Sequence, residues 1–262
     1  MAAPDPGLRS SLVDLFRHGD ADVDVRLHAA RGALAPKAHE QLALLMVLSA
    51  DPDERVRTAA FETIDRIPPA ALTAFLARAD VPEAMRQWYS SRDNWTVVAG
   101  GAADPEAPLI DTAPDEPVAE PAEGQTEEEQ VRLLSLMTVF ERLKIAMRGT
   151  REQRAALIRD PSKMVAIAVL SSPKVTEPEI EAFARMTTVN EEVLRVIGTN
   201  RVWTRNYAVA LALTRNPKTP LSIAMQMAPR LTERDMRQIA TDRNVPEPVR
   251  LMVRKFLVKA RG

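Results

Sequence analysis

Helix-start signals recur at short intervals along this chain, and they leave little room for anything except a stack of short helices. Thr126…Glu129, Thr150…Gln153, Thr176…Glu179 and Asn244…Glu247 each set a side-chain acceptor three residues before a Glu or Gln, the spacing of a capping box. Asp80…Glu83 fits the same geometry, and Asp51-Pro52-Asp53-Glu54 places Asp51 at the N-cap, Pro52 at the first helical position and Glu54 at the third. Thr219-Pro220 and Thr232…Asp235 are looser versions. Most prolines outside residues 93–125 fall at such junctions, so the spacing predicts short helices joined by tight turns. With six Phe, two Tyr and three Trp and no alternating runs, a β-rich fold is disfavoured.

The apolar pattern agrees. Leu133, Leu136, Met137, Phe140, Leu143 and Met147 recur at helical spacing, with Lys144 the one polar exception, and predict one amphipathic helix across this stretch. Met164–Leu170 and Tyr207–Leu213 are apolar nearly all round, so helices there must be covered on several sides. These two stretches also align: Val165-Ala166-Ile167-Ala168-Val169-Leu170-Ser171-Ser172-Pro173-Lys174 matches Val209-Ala210-Leu211-Ala212-Leu213-Thr214-Arg215-Asn216-Pro217-Lys218 at an offset of 44 residues. That alignment predicts Ile167 and Leu211 as equivalent buried positions. Near the N-terminus, Asp22-x-x-Val25-Arg26-x-x-Ala29 recurs as Asp53-x-x-Val56-Arg57-x-x-Ala60, offset by 31, and Val81-Pro82-Glu83-Ala84-Met85-Arg86 resembles Val245-Pro246-Glu247-Pro248-Val249-Arg250. Periods of this size indicate a helical solenoid.

The Asp-x-x-Val-Arg-x-x-Ala elements resemble HEAT-type repeats over roughly residues 20–90. The segment around Arg215-Asn216-Pro217-Lys218-Thr219-Pro220 is similar to leucine-rich repeat variant units, which are also all-helical, over roughly residues 155–262. The HEAT resemblance implies an intramolecular polar ladder, which gives Asp22, Arg26, Asp53 and Arg57 structural roles. One variant-repeat architecture carries a cysteine-bound iron–sulfur module; this chain has no cysteine, so that part of the resemblance fails.

Charge divides the chain. Residues 93–130 hold 11 acidic and no basic side chains, whereas residues 131–262 carry net +12. The acidic stretch contains Pro105, Pro108, Pro114, Pro117 and Pro121 and no regular periodicity, the composition of a disordered linker. Two apolar islands, Trp95-Thr96-Val97-Val98 and Leu109-Ile110, offer docking motifs for a partner or for the chain's own domains. The expected fold is therefore all-α: N-terminal HEAT-like repeats over 8–92, an acidic linker over 93–126, and a basic C-terminal helical-repeat domain over 127–262. The acidic linker is expected to screen the basic domain.

Little catalytic chemistry is encoded. The absence of Cys excludes a thiol nucleophile and thiolate metal sites; His18, His28 and His39 form no ligand pattern. No phosphate loop or Gly-x-Ser-x-Gly element occurs, and the paired carboxylates sit at helix starts, where they complement the helix dipole. No cofactor, no membrane span and no enzymatic activity are expected, and the chain reads as cytoplasmic. The candidate binding residues are Arg201, Trp203 and Arg205, then Arg215 and Lys218, then Arg250, Arg254, Lys255 and Lys259: guanidinium and ammonium groups beside an aromatic suit phosphate contacts and base stacking, while Trp203 with Arg stems laid over it suits interior packing. The expected function is a non-enzymatic scaffold with a protein partner; the alternative is nucleic-acid binding through residues 131–262.

Overall fold

A computed structural model of the chain describes residues 4–8, 10–17, 21–34, 37–91, 109 and 127–259. Among these residues the chain is all-helical and forms no strand. The first part comprises α1 (Ser11–Arg17), α2 (Val23–Ala30), α3 (Ala38–Leu48), α4 (Glu54–Arg66), α5 (Pro69–Leu76) and α6 (Glu83–Ser90). The second comprises α7 (Glu127–Leu136), α8 (Val139–Arg148), α9 (Arg151–Leu157), α10 (Lys163–Leu170), α11 (Glu177–Arg185), α12 (Glu191–Thr199) and α13 (Arg201–Thr204). It continues with α14 (Tyr207–Arg215), α15 (Leu221–Met227), a 3-10 turn (Ala228–Arg230), α16 (Glu233–Thr241) and α17 (Glu247–Lys259). The expected linker lies outside the described residues except for Leu109.

The second part is a stack of helix pairs. Helices α8, α10, α12, α15 and α17 pack in succession along one row. Along the other row α11 packs on α14, and side-chain bonds tie α9 to α11 and α14 to α16. Four residues cap the starts of α9, α11, α14 and α16: Thr150, Thr176, Asn206 and Thr232, spaced 26, 30 and 26 residues apart. The longer step is the insertion of α13, where the Asn200 side chain accepts from the amides of Val202 and Trp203. Within this register, Leu157, Phe183, Leu213 and Ile239 are all buried seven residues after their cap, and Ile167, Val193, Ile223 and Val249 are all buried seventeen after it.

The register corrects the 44-residue alignment. Its two stretches fall on α10 and α14, which belong to opposite rows, so Ile167 corresponds to Ile223 and not to Leu211. Both helices are rich in Ala and aliphatic residues because both are covered on several sides, and composition alone made them look equivalent. Leu211 is only half-buried, whereas Ile167 is buried.

The helix predicted across 133–147 is two helices. Glu141 Oε2 accepts the Thr138 amide at 2.7 Å, and the Glu141 amide donates to Thr138 Oγ1 at 3.3 Å. This capping box starts α8 and ends the run, leaving Leu133 and Leu136 exposed on α7. Within the first of the two rows α12 and α15 come close together at Gly198, where a Cβ atom would sit 2.4 Å from Ile223 Cγ2.

In the first part the 31-residue offset is matched by packing: α2 lies on α4, Asp22 and Asp53 occupy the two N-cap positions, and Val25 and Val56 are buried. The ladder uses different partners from those expected. Arg26 Nη1 donates to both Asp51 carboxylate oxygens at 2.7 Å, and Arg57 donates to the backbone carbonyls of Asp51 and Pro52. Asp51 is therefore a buried ion-pair partner and not the N-cap of α4. The cap is Asp53, whose carboxyl is held at about 2 by the Arg55 side chain and amide. Pro82 and Pro220 hold the N-cap positions of α6 and α15 in place of Asp80 and Thr219, and α17 begins at Glu247, not directly after Asn244.

The two helical parts meet directly. Helix α1 packs against α10 and α2 against α8, and His28 stacks on Phe140 with ring centroids 3.8 Å apart. One continuous core runs from Leu12 to Met227 through this seam, with a smaller cluster under α16 and α17.

Candidate functional site

The seam opens into a cleft of about 1030 Å³ with one wall from each part. Trp203 stands on the second wall beside Pro173 and Asn200; His39, Glu40, Arg78 and Asp80 line the first. Trp203 is placed by the α13 insertion. It is half-buried and packs on the core while one side lines the cleft, so it combines packing with an accessible aromatic surface. Opposite it, Arg78 Nη2 lies 2.7 Å from Asp80 Oδ2, with His39 Nε2 3.7 Å from the same oxygen. The Arg78 side chain holds the Asp80 carboxyl at about 2. Ser10 Oγ donates to Glu40 Oε1 at 2.7 Å. The cleft therefore presents charges of both signs, an aromatic and small hydroxyls.

The remaining candidates do not join Trp203. Arg201 opens α13 and Arg205 directly follows it; both are exposed. Arg215 is half-buried between α14 and α16, paired with Asp235 at 3.4 Å and hydrogen-bonded to Gln238. It lines a separate pocket of about 580 Å³ with Arg185, Leu211 and Asn244. Lys218 Nζ donates to the Val189 carbonyl at 3.4 Å. Arg254 Nε and Nη2 both donate to the Ala240 carbonyl, at 3.2 and 2.8 Å. Arg250 is half-buried and Lys255 exposed; the Lys259 side chain lies outside the described residues. Neither cavity is lined by Arg201, Arg205, Lys218, Arg250, Arg254 or Lys255.

Two features of the surface had partial or no signal in the sequence. His39, Glu40, Arg78 and Asp80 lie together on the first part, and only the docking of α1 on α10 sets them across a cleft from Trp203. The Leu109-Ile110 island was legible as a docking motif, and Leu109 does dock: its amide donates to Gln41 Oε1 on α3 at 2.8 Å. The island at Trp95–Val98 and Ile110 itself lie outside the described residues.

His28 reports on the seam. Burial lowers its pKa below the ordinary 6.5, helped by Arg31 and Lys144 and opposed by Asp24. A depressed histidine favours the folded state above 6.5, and that contribution fades as pH falls from 6.5 toward the folded value. In an NMR titration His28 is expected to titrate below 6.5, and Phe140→Ala, which removes its stacking partner, should bring it back up. An unshifted His28 in the intact chain would contradict the stacked seam.

Among the described residues there is no group of three or more His, Asp or Glu side chains able to hold a metal ion, and no helix is long and apolar enough to cross a membrane. No protein family, curated protein or solved structure matches the chain.

Proposed function

We propose that this chain is a non-enzymatic scaffold: two short helical-repeat arrays, over 8–92 and 127–262, connected by an acidic segment and presenting a composite surface to a protein partner. The observation that carries the reading is the seam cleft, which needs both arrays and which offers Trp203 opposite the His39, Arg78 and Asp80 cluster. A half-buried aromatic beside a mixed-charge rim is the kind of feature that anchors protein interfaces. The dispersal of the basic candidates supports the same reading: Arg215 pairs with Asp235, while Lys218 and Arg254, both exposed, donate to the carbonyls of Val189 and Ala240.

One observation favours the second reading, nucleic-acid binding. Arg201 and Arg205 flank Trp203 and are exposed, an arrangement compatible with a phosphate contact beside a stacking platform.

Immobilised full-length chain, incubated with host extract with and without nuclease, separates the two. The scaffold reading expects a retained protein that resists nuclease and is lost with Trp203→Glu. Retention that nuclease abolishes, together with binding of a generic duplex at about 50 mM salt, would replace it with the second reading.

A further inference from the structure

Gln41 is a polar side chain where the helix pattern calls for an apolar one. It lies on α3, is 1% exposed, and is followed by Leu42, Ala43, Leu44, Leu45, Met46, Val47 and Leu48, all buried. An amide withdrawn from water this completely costs about 1–3 kcal/mol if left without a partner. Its Oε1 is satisfied from far along the chain: the Leu109 amide donates to it at 2.8 Å across 68 residues. The Leu109 side chain is half-buried and packs on the same core. The next residue of α3 is fixed independently, by Tyr89 Oη donating to the Leu42 carbonyl at 2.8 Å, so the receptor side is built by α3 and α6.

This is a peptide-recognition geometry. A side-chain carbonyl that accepts a backbone amide reads a main chain whatever its side chain, and the adjoining apolar surface selects the anchor residue. The sequence around Leu109 is strongly acidic: Asp104 and Glu106 precede it, and Asp111, Asp115 and Glu116 follow. Lys37 stands one helical turn before Gln41, on the same face of the chain entering α3.

We infer that the Gln41 face of α3 is a docking site for an acid-flanked, leucine-anchored peptide, occupied in cis by Leu109 and open in trans to a partner segment of the same chemistry. The inference rests on the protein-scaffold reading for its biological partner but not for its chemistry. The cis occupant acts at an effective concentration of order mM, so a trans peptide meets a site already filled unless Leu109 is displaced.

The test uses the full chain and a fluorescein-labelled peptide of residues 104–115, followed by anisotropy at low and high salt. The Leu109→Asp chain is expected to bind the peptide at least about tenfold more tightly than the unaltered chain, which corresponds to about 1.4 kcal/mol. A peptide carrying Leu109→Asp should not bind, a readout that does not depend on how any chain variant folds. Adding Gln41→Met to the Leu109→Asp chain should abolish binding while helical content is kept. Equal binding by the unaltered and Leu109→Asp chains, or binding indifferent to Leu109 in the peptide, overturns the site. If the peptide binds as expected but Trp203-dependent capture fails, the site stands and the scaffold reading falls. The reverse result overturns the site alone.

Discussion

Glu179→Ala should destabilise the chain by about 3–5 kcal/mol, the cost of breaking a buried ion pair by removing one partner. Arg154 and Glu179 each have side chains only 4% exposed. The guanidinium donates to Glu179 Oε1 at 3.0 and 2.8 Å, and also to the carbonyls of Gly149 and Lys174. On its other oxygen Glu179 accepts from the Thr176 amide and hydroxyl, both at 2.9 Å. One carboxylate therefore caps α11 and fastens it to α9, and its loss leaves a buried guanidinium short of a counter-charge. Arg154→Met combined with Glu179→Leu should recover much of the loss, because it removes both charges. Burial works to raise the Glu179 pKa, but the Thr176 and Arg154 bonds prevail and hold it below the ordinary 4.5. A depressed carboxyl stabilises above 4.5, and the contribution is lost as pH falls through the folded value. Denaturant titrations at neutral pH and near pH 3 should show the variant's deficit shrinking with acid; a deficit under about 1 kcal/mol at neutral pH would mean that the pair is solvated.

Leu213→Ala should cost about 2–5 kcal/mol, and Leu211→Ala clearly less, although the two residues are two apart on the same apolar helix. Leu213 is fully buried and occupies the same position in its repeat as Leu157, Phe183 and Ile239. Leu211 is half-buried at the edge of the smaller cluster and lines the 580 Å³ pocket, so water already reaches part of its surface. Thermal or urea unfolding of the two variants decides the matter. Equal losses would restore the 44-residue alignment and remove the 26-residue register.

Helical character was legible residue by residue because capping chemistry is local. Thr150, Thr176 and Thr232 each cap where their spacing predicted. The same rule marks Thr138…Glu141, yet the apolar periodicity of Leu133 to Met147 continues across that break and concealed it. Asn190 and Asn206 cap through their own side chains without an acidic residue three places on, so a search for the paired motif passes over them. The repeat register was harder to see because Gln153, Glu179, Val209 and Asp235 fill one structural position with three chemistries. The basic candidates were chosen by charge; whether a guanidinium is engaged by a neighbouring helix, as Arg215 is by Asp235 and Gln238 on α16, depends on packing between helices. The cleft had no sequence signal, because it forms where residues about 150 positions apart meet.

That seam sets an order of events at the ribosome. Helix α1 is made well before α10, on which it rests and which ends at Leu170. The face of α1 can pack on α3 early, but its contact with α10 must wait until the residues between Arg17 and Lys163 have been made. Local helix pairs can form as they appear, but joining the two parts requires closing a long loop, which is intrinsically slower than local pairing. The nascent N-terminal part is thus the stage at which this chain is most open to aggregation or to chaperones. A protein cut within residues 93–108 and supplied as two chains should reassemble through α1 and α2 by the same late step.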